Sequence, residues 1–560
     1  MKKQLIVTVF FLNAILSVAQ SLTLEVSEDH FFIAEDKNLI VSHLNDIASY
    51  ADLTGVEDIT LYLGDLSFSF NDIPAAIDYK SAYNISYLEQ EYTLYFTSLP
   101  LISIETPNVI INEEKVLANF IYSDEEQVLV SKIGIELRGG FSLSYPKKTY
   151  DLEFWEDDNG VDNIDVQFGN LRSDDDWILD ALYNEPLRIR SYIASKLWKD
   201  MHVPHYLMSE PKAKSGADVS YVEVFINGSY NGLYNISEQV DKKLLQLKTT
   251  NEEVRGELYK GISWGATTFG GLPSYSNNSR LWGGYELKYP KADEITEWEN
   301  IYNFTDFVIN APEEDFKSEI WEKFNYDNFL DYYIFLNIIR ATDNTGKNIY
   351  IGKYDTDSLY FYIPWDLDGC FGTMWEGDND TNTTGLLTNG FYDRVGSLDS
   401  NDYLKDLAKK WFNFRKDVLE EETLINLMKD QYYFLLENKM YERESLVYQN
   451  YDFSEEDLFY MLDWLQDRID FLDYYFDSLS PISNIDKAYP ELFVFPNPSN
   501  GKLFLSSTSF IQNSKYRIIN TNGIVVDQGI LKENALDVEF LNTGIYIIIV
   551  DDRSYKLVIK

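Results

Sequence analysis

The sequence predicts an α+β protein of more than one domain, and three observations carry that prediction. Its 560 residues exceed what a single hydrophobic core usually organises. From residue 21 to about 125 it reads as short strands between turns, for example Ile59 to Leu63 and Tyr92 to Thr97. From Asp402 to Leu479 apolar residues recur instead at three- and four-residue spacing, as in Leu404, Leu407 and Trp411, and again in Leu458, Leu462, Leu465 and Ile469. That is a helical signal.

Composition narrows the class. Lys and Arg number 47 against 92 Asp and Glu, a formal net charge of −45. A field of that sign repels nucleic acid and anionic lipid and favours cations and basic partners. Aromatic residues make up 16% and drive burial, so the bulk of the chain is not disordered. The single cysteine, Cys370, excludes an internal disulfide framework, and a small buried apolar role is expected for it. His202 and His205 form an HxxH pair, but Val203-Pro204 break any helix that would align them as ligands, and a loop is expected there.

Taken in order, Met1 to about Ala19 is organised as a secretory signal peptide. Lys2 and Lys3 begin it, Leu5 to Leu16 form its apolar run, and Ser17-Val18-Ala19 its cleavage site. The run is too short to span a bilayer, and no later segment approaches the necessary length. An exported, soluble chain without a membrane span is expected. Residues 20–125 are expected to be a β-rich accessory region without chemistry, residues 126–482 the main domain, and residues 494–560 a separate β-module.

Within the main domain Ile133, Ile135 and Leu137 alternate as a strand that ends at Arg138-Gly139-Gly140, and a second strand runs from Lys147 to Phe154. Paired glycines permit close backbone approach to a ligand, and the flanking arginine and lysines would make that ligand anionic. An amphipathic helix is expected over Glu185 to Met201, carrying Arg188 and Arg190. Tyr221 to Ile226 and Gly232 to Ile236 form a hairpin around Asn227-Gly228, followed by Glu238. Residues 250–312, rich in Gly, Ser, Asn and Trp, look like an insertion or substrate-facing loop with some helix near Glu297 to Val308. Asp327 to Arg340 is a strongly apolar helix.

That helix delivers the chain to its most informative stretch, Arg340 to Gly372. Ile349 to Tyr354 and Leu359 to Ile363 are short strands around the turn Asp355-Thr356-Asp357-Ser358. The hairpin brings its two ends together, so Asp343 and Asn348 meet Asp366 and Asp368. Carboxylates that converge repel one another unless a positive charge sits between them. A divalent cation with oxygen ligands, Mg²⁺ or Mn²⁺, answers that need.

Two resemblances add to these readings. The strings RGGFSLSYPKKTYDLEF, NGSYNGLYNISEQVD, DNTGKN and PWDLDGCFG, in this order over about 350 residues, resemble the CotH family of spore-coat-type kinases. The resemblance implies a divergent protein-kinase-like core that transfers phosphate from ATP to a serine or threonine of a secreted or surface protein. Asp343 and Asn348 lie five positions apart, as do the catalytic-loop Asp and metal-binding Asn of protein kinases. By that likeness Asp343 takes or orients the acceptor proton, and Asn348, Asp366 and Asp368 hold metal. Lys147 or Lys148 contacts the α- and β-phosphates, Glu238 pairs with that lysine, and Arg138, Gly139 and Gly140 form the nucleotide turn. The turn lacks the second arginine and the asparagine of the family pattern. A catalytically inactive surface scaffold and a nucleotidyl transferase on the same fold are the alternative readings.

The last 67 or so residues resemble the C-terminal type IX sorting domain of Bacteroidetes exported proteins in FPNP, TGIYIIIV and KLVIK. This implies export through the periplasm by the type IX secretion machinery, and a secreted or cell-surface location.

Overall fold

In the computed structural model, described residues run from 20 to 479, apart from 252, 292–294, 399 and 450, and from 492 to 560, apart from 500, 508–513, 521–523, 533–534 and 551–552. The expected signal peptide lies outside them. The first seven strands are β1 (Gln20–Val26), β2 (Phe31–Ala34), β3 (Leu39–Ser42), β4 (Val56–Leu63), β5 (Leu66–Phe70), β6 (Ala82–Tyr87) and β7 (Gln90–Phe96). They make one sheet in the order β1-β4-β5-β6-β7-β3-β2. Alternation in β4 sends Ile59, Leu61 and Leu63 to one face, where they meet Leu24, Ile85 and Leu94.

A closed barrel follows. Its strands are β8 (Leu101–Glu105), β9 (Val116–Ser123), β10 (Val128–Arg138) and β11 (Thr149–Trp155) and, beyond the short pair β12 (Val166–Gln167) and β13 (Ser173–Asp174), β14 (Asp176–Asp180), β15 (Val219–Ile226) and β16 (Ser229–Glu238). The order is β10-β11-β14-β16-β15-β8-β9. The boundary expected at residue 125 therefore cuts through the barrel. β9 pairs along its whole length with β10, and β8 lies parallel to β15, so both strands of the supposed accessory region close the main domain. Ile133, Ile135, Leu152, Phe154, Trp177, Leu179, Tyr234 and Ile236 fill the barrel interior. By the two-residue period, Thr149, Ile178, Asp180, Asn235 and Ser237 stand on its outer face.

That outer face looks onto a helical body. Helix α1 (Arg190–Met201) is shorter than expected because Arg188 takes a left-handed backbone, φ 60°, and the turn before it is not helical. After α2 (Lys242–Leu245) come β17 (Glu257–Gly261), β18 (Leu281–Trp282), β19 (Tyr285–Tyr289), α3 (Glu299–Asn310), α4 (Glu313–Glu319) and α5 (Tyr326–Ile339). The hairpin β20 (Ile349–Lys353) and β21 (Tyr360–Pro364) completes a sheet ordered β18-β19-β17-β20-β21.

Residues 250–312 are only in part the loop expected. Residues 262–280 hold no strand or α-helix, Lys260, Gly261 and Ile262 line a cleft, and α3 gives the expected helix. β17, β18 and β19, however, are built into the sheet. β17 and β19 are inner strands of that sheet, and Tyr259, Trp282, Tyr285 and Trp298 are buried in the main core, where aromatic packing takes them out of water. α5 is apolar all round and lies at the centre, buried from Asn328 to Ile339. Helices α6 (Gly390–Leu398), α7 (Ser400–Phe414) and α10 (Glu455–Leu479) pack against it, while α8 (Glu421–Glu437) packs on α10 and on α9 (Met440–Val447), which lies against β16. The mixed α/β architecture agrees with the α+β expectation.

The last strands are β22 (Leu492–Phe495), β23 (Lys502–Ser507), β24 (Lys515–Asn520), β25 (Val525–Ile530), β26 (Ala535–Asp537), β27 (Gly544–Val550) and β28 (Arg553–Ile559). They form two sheets, β22-β23-β26 and β25-β24-β27-β28, with Leu503, Ile518, Ile548 and Leu557 between them.

The histidine pair is structural. His202 follows α1, and its Nδ1 lies 2.9 Å from Asp331 Oδ2 while Asn328 Nδ2 lies 3.0 Å from its Nε2. His205 packs on Tyr206 and Phe361, and burial, helped by His202, lowers it from its usual 6.5 to about 4. Between those values the unfolded chain binds the proton and the fold does not, so His205 removes stability as pH falls from 6.5 toward 4. His205→Gln is expected to flatten the melting temperature over that interval, and an unchanged slope would refute this account.

Candidate active site

Between the barrel's outer face and the helical body lies a cavity of about 520 Å³. Its wall includes Arg138, Gly139, Gly140, Lys147, Asp343, Asn348, Asp366 and Asp368, residues separated by up to 230 positions that the barrel and the hairpin bring together. Of the expected site residues only Lys148 and Glu238 stay out of the wall.

The hairpin's mouth is built as anticipated, with one addition. Asn344, buried in the turn Asp343–Thr345, donates to the carbonyls of Asn348 at 2.6 Å and Trp365 at 2.8 Å. The Trp365 N–H donates to Asn348 O at 3.1 Å, and the Asn348 N–H to Gly261 O at 3.0 Å. Asn348 and Asp366 both hold left-handed backbone, φ 54° and 55°. Non-glycine residues adopt that region at a cost, and such positions concentrate at functional sites. Asp343 Oδ2 accepts from Lys347 Nζ at 2.9 Å.

The acids form a group. Asp368 accepts from the Gly369 N–H at 2.8 Å and from Asn184 Nδ2 at 2.7 Å. Burial and then Asp366 push its carboxyl well above the usual range. Asp180, on the barrel side, is pushed up for the same two reasons. These carboxylates do not close into a cage: among the described residues, the acids whose ligand atoms all lie within 4.8 Å are Asp165, Asp174 and Asp175. Lys243 already reaches all three of those. Mg²⁺ suits the looser arrangement, since it is commonly held by one or two carboxylates, with phosphate oxygens and water completing its shell.

Of the two candidate lysines one lines the cavity, and its partner is not the one expected. β11 begins only at Thr149, so strand alternation does not govern the residues before it. Lys147 turns inward, completely buried, and lines the cavity. Lys148 instead donates to the carbonyls of Leu143 at 2.6 Å and Tyr145 at 2.5 Å, tying down the turn after Gly140.

Glu238 does not pair with Lys147. It follows Tyr234 and Ile236 on the barrel's inner side, where it accepts from the N–H groups of Arg172 and Asp218 and pairs with Lys214. The partner of Lys147 is Glu444 of α9, 2.6 Å away. Glu444 also meets Arg188 at 3.1 Å and accepts the Leu233 N–H at 2.9 Å, while Lys147 donates to Leu233 O. A Cβ at Gly232 would stand 2.1 Å from Glu444 Oε2, so only glycine lets the carboxylate reach the strand. Burial lowers Lys147 to about 8 despite Glu444, which opposes the shift.

Sequence reasoning missed Glu444, Asp180, Asn344 and Lys260. The one local signal was Gly232, a glycine inside a strand, which marks a close approach.

A family model described as CotH kinase protein matches residues 135–472, and one described as a secretion system C-terminal sorting domain matches residues 493–560. Comparison with curated proteins found no match. The sorting domain directs the chain to the type IX secretion machinery, and so to secretion or the cell surface. Among the described residues, no helix is long and apolar enough to cross a membrane.

Glu444→Ala strands two buried cations and is expected to cost about 3–5 kcal/mol in denaturant unfolding. Lys148→Ala, which removes only hydrogen bonds to a partly exposed turn, should cost about 1 kcal/mol. Equal costs would refute the buried pairing.

Proposed function

Because the chain belongs to the CotH kinase protein family, we propose that it is an exported ATP-dependent kinase acting on serine or threonine hydroxyls of secreted or surface proteins. The observation that supports this best is the meeting of Asp343, Asn348 and Asp366 in one cavity with a buried lysine held by a glutamate. Phosphoryl transfer requires positioning and charge neutralisation more than covalent chemistry, and this set offers both.

In the proposed reaction the acceptor oxygen bonds to the γ-phosphorus as the bond from that phosphorus to the β,γ-bridging oxygen breaks. ADP leaves with the electron pair of that bond. Asp343 takes the hydroxyl proton, and its ion pair with Lys347 keeps the carboxylate oriented. Asn348, Asp366 and Asp368 would hold Mg²⁺ or Mn²⁺ through oxygen, the donor type these ions prefer. Such a cation would neutralise phosphate charge and align the transferred group. Lys147 would face the α- and β-phosphates, with Glu444 fixing its direction. Phe141 meets Trp375 edge-on at 5.0 Å in the cavity wall.

The test is transfer from γ-labelled ATP with Mg²⁺ or Mn²⁺ to a mixture of exported proteins. Asp366→Ala and Asp343→Asn are each expected to reduce incorporation by at least about 100-fold. Equal labelling by wild type and Asp366→Ala would overturn the proposal. Acceptors that gain the mass of AMP rather than phosphate would turn the reading to nucleotidyl transfer.

A further inference from the structure

We propose that Lys260 and Arg138 form an anion subsite beside the Trp365 indole that takes the terminal phosphate of the nucleoside triphosphate. This rests on the nucleotide reading above, and neither the sequence motifs nor the catalytic set assigns Lys260 a role.

Lys260 lies on β17 opposite Tyr350, and the carbonyl of the next residue, Gly261, receives the N–H of Asn348. Its partly buried side chain lines the cavity. The ammonium stands 5.9 Å from the ring centres of both Tyr350 and Trp365. Among the described residues no carboxylate reaches ion-pair distance of it. Asp366 and, directly opposite it on β19, Glu286 attract it without closing an ion pair, and Glu286 also faces Lys288 at 3.8 Å.

Arg138 comes to the same indole from the barrel side, its guanidinium 5.3 Å from the Trp365 ring. One guanidinium nitrogen, Nη1, is buried without a hydrogen bond. The carboxylate facing it, Asp151 at 3.8 Å, is held by Lys115 at 2.9 Å.

Two cations thus share one aromatic ring. Arg138 meets Asp151 only at 3.8 Å with its Nη1 left without a hydrogen bond, Lys260 has Glu286 across the strands but no ion pair, and Arg138 is the charge that most opposes the Lys260 ammonium. Burial and that repulsion lower Lys260 to about 8. Unpaired charges are costly out of water, and an anion between the two would relieve both. The place also selects which phosphate. Trp365 directly precedes Asp366, and Lys260 adjoins the strand that leaves Asn348, whereas Lys147 is anchored to β16 beside Leu233. The transferred group has to lie next to Asp343 and the cation ligands, and that is the Lys260 side of the cleft.

Lys260→Met keeps the aliphatic stem against Trp365 and removes the charge. In the full-length protein with Mg²⁺, the variant is expected to bind ATP at least about tenfold more weakly, from the loss of a charged hydrogen bond. ADP affinity should stay within about twofold, far less than the 1.4 kcal/mol of a tenfold change. The ligand-free melting temperature should stay equal or rise, because an uncompensated cation has been removed, and Lys260→Arg should recover part of the preference for ATP over ADP.

An unchanged ATP-to-ADP affinity ratio in Lys260→Met would overturn the subsite while leaving nucleotide binding intact. A ligand-free melting temperature lowered with that ratio unchanged would make Lys260 structural. Wild type that binds neither nucleotide would remove the kinase reading, and the subsite with it.

Discussion

Lys147, Glu444 and Arg188 meet out of water where the barrel touches the helical body, and the cleft depends on that contact. The lysine enters from the barrel's outer face, the glutamate from a helix near the end of the main domain, and the arginine from the turn before α1. Each charge is affordable only because the others are present. Glu444 also accepts a backbone N–H of β16, so the ion pair fixes where the barrel roof sits as well as where one ammonium points. The site and the junction between the two bodies are the same piece of structure.

Charge in the cleft is segregated. Asp180, Asp366 and Asp368 crowd one region, where Asp366 helps to raise the proton affinity of the other two, while Arg138 and Lys260 crowd Trp365 and Arg138 opposes the Lys260 ammonium. The protein offers the acids hydrogen-bond donors, as Gly369 and Asn184 do for Asp368, but among the described residues no ion pair to them, and it gives Arg138 only a carboxylate at 3.8 Å. A metal–polyphosphate complex carries the complementary pattern, cation beside anion, and would satisfy both groups at once. The surface as a whole is strongly acidic, so local basicity of this kind stands out against the chain's net charge of −45.

Much of this was legible in the chain. The hairpin from Ile349 to Pro364 announced itself through β-branched and aromatic runs around an Asp-rich turn, and it brought Asn348 to Asp366 as hairpins must. Gly139 was legible as a required glycine but for another reason than ligand approach: its φ of 131° and a Cβ that would stand 2.0 Å from Ser142 Oγ are demands of the turn itself. Glu238 misled because nearness in sequence to a site hairpin says nothing about which face of a strand a residue takes. Residues 250–312 were half legible: the stretch does reach the cleft at Lys260 to Ile262 and does hold a helix, but its Gly- and Asn-rich composition hid the strands whose aromatics pack inward. Glu444 and Lys260 carried no local signature, since their roles come from tertiary contact alone.

The distance along the chain between Lys147 and Glu444 has a consequence for how the protein comes into being. The four motifs of the main domain have been synthesised once residue 372 is reached, but the lysine's counter-ion arrives 72 residues later, on α9. A nascent chain, or one clipped after the last motif, would hold every signature of the site with its central cation unpaired. The cleft would therefore assemble late and in one step, after the helical end of the domain has folded back onto the barrel. In a chain addressed for export, the ion pair thus ties the lysine's setting to the completeness of the helical end of the domain.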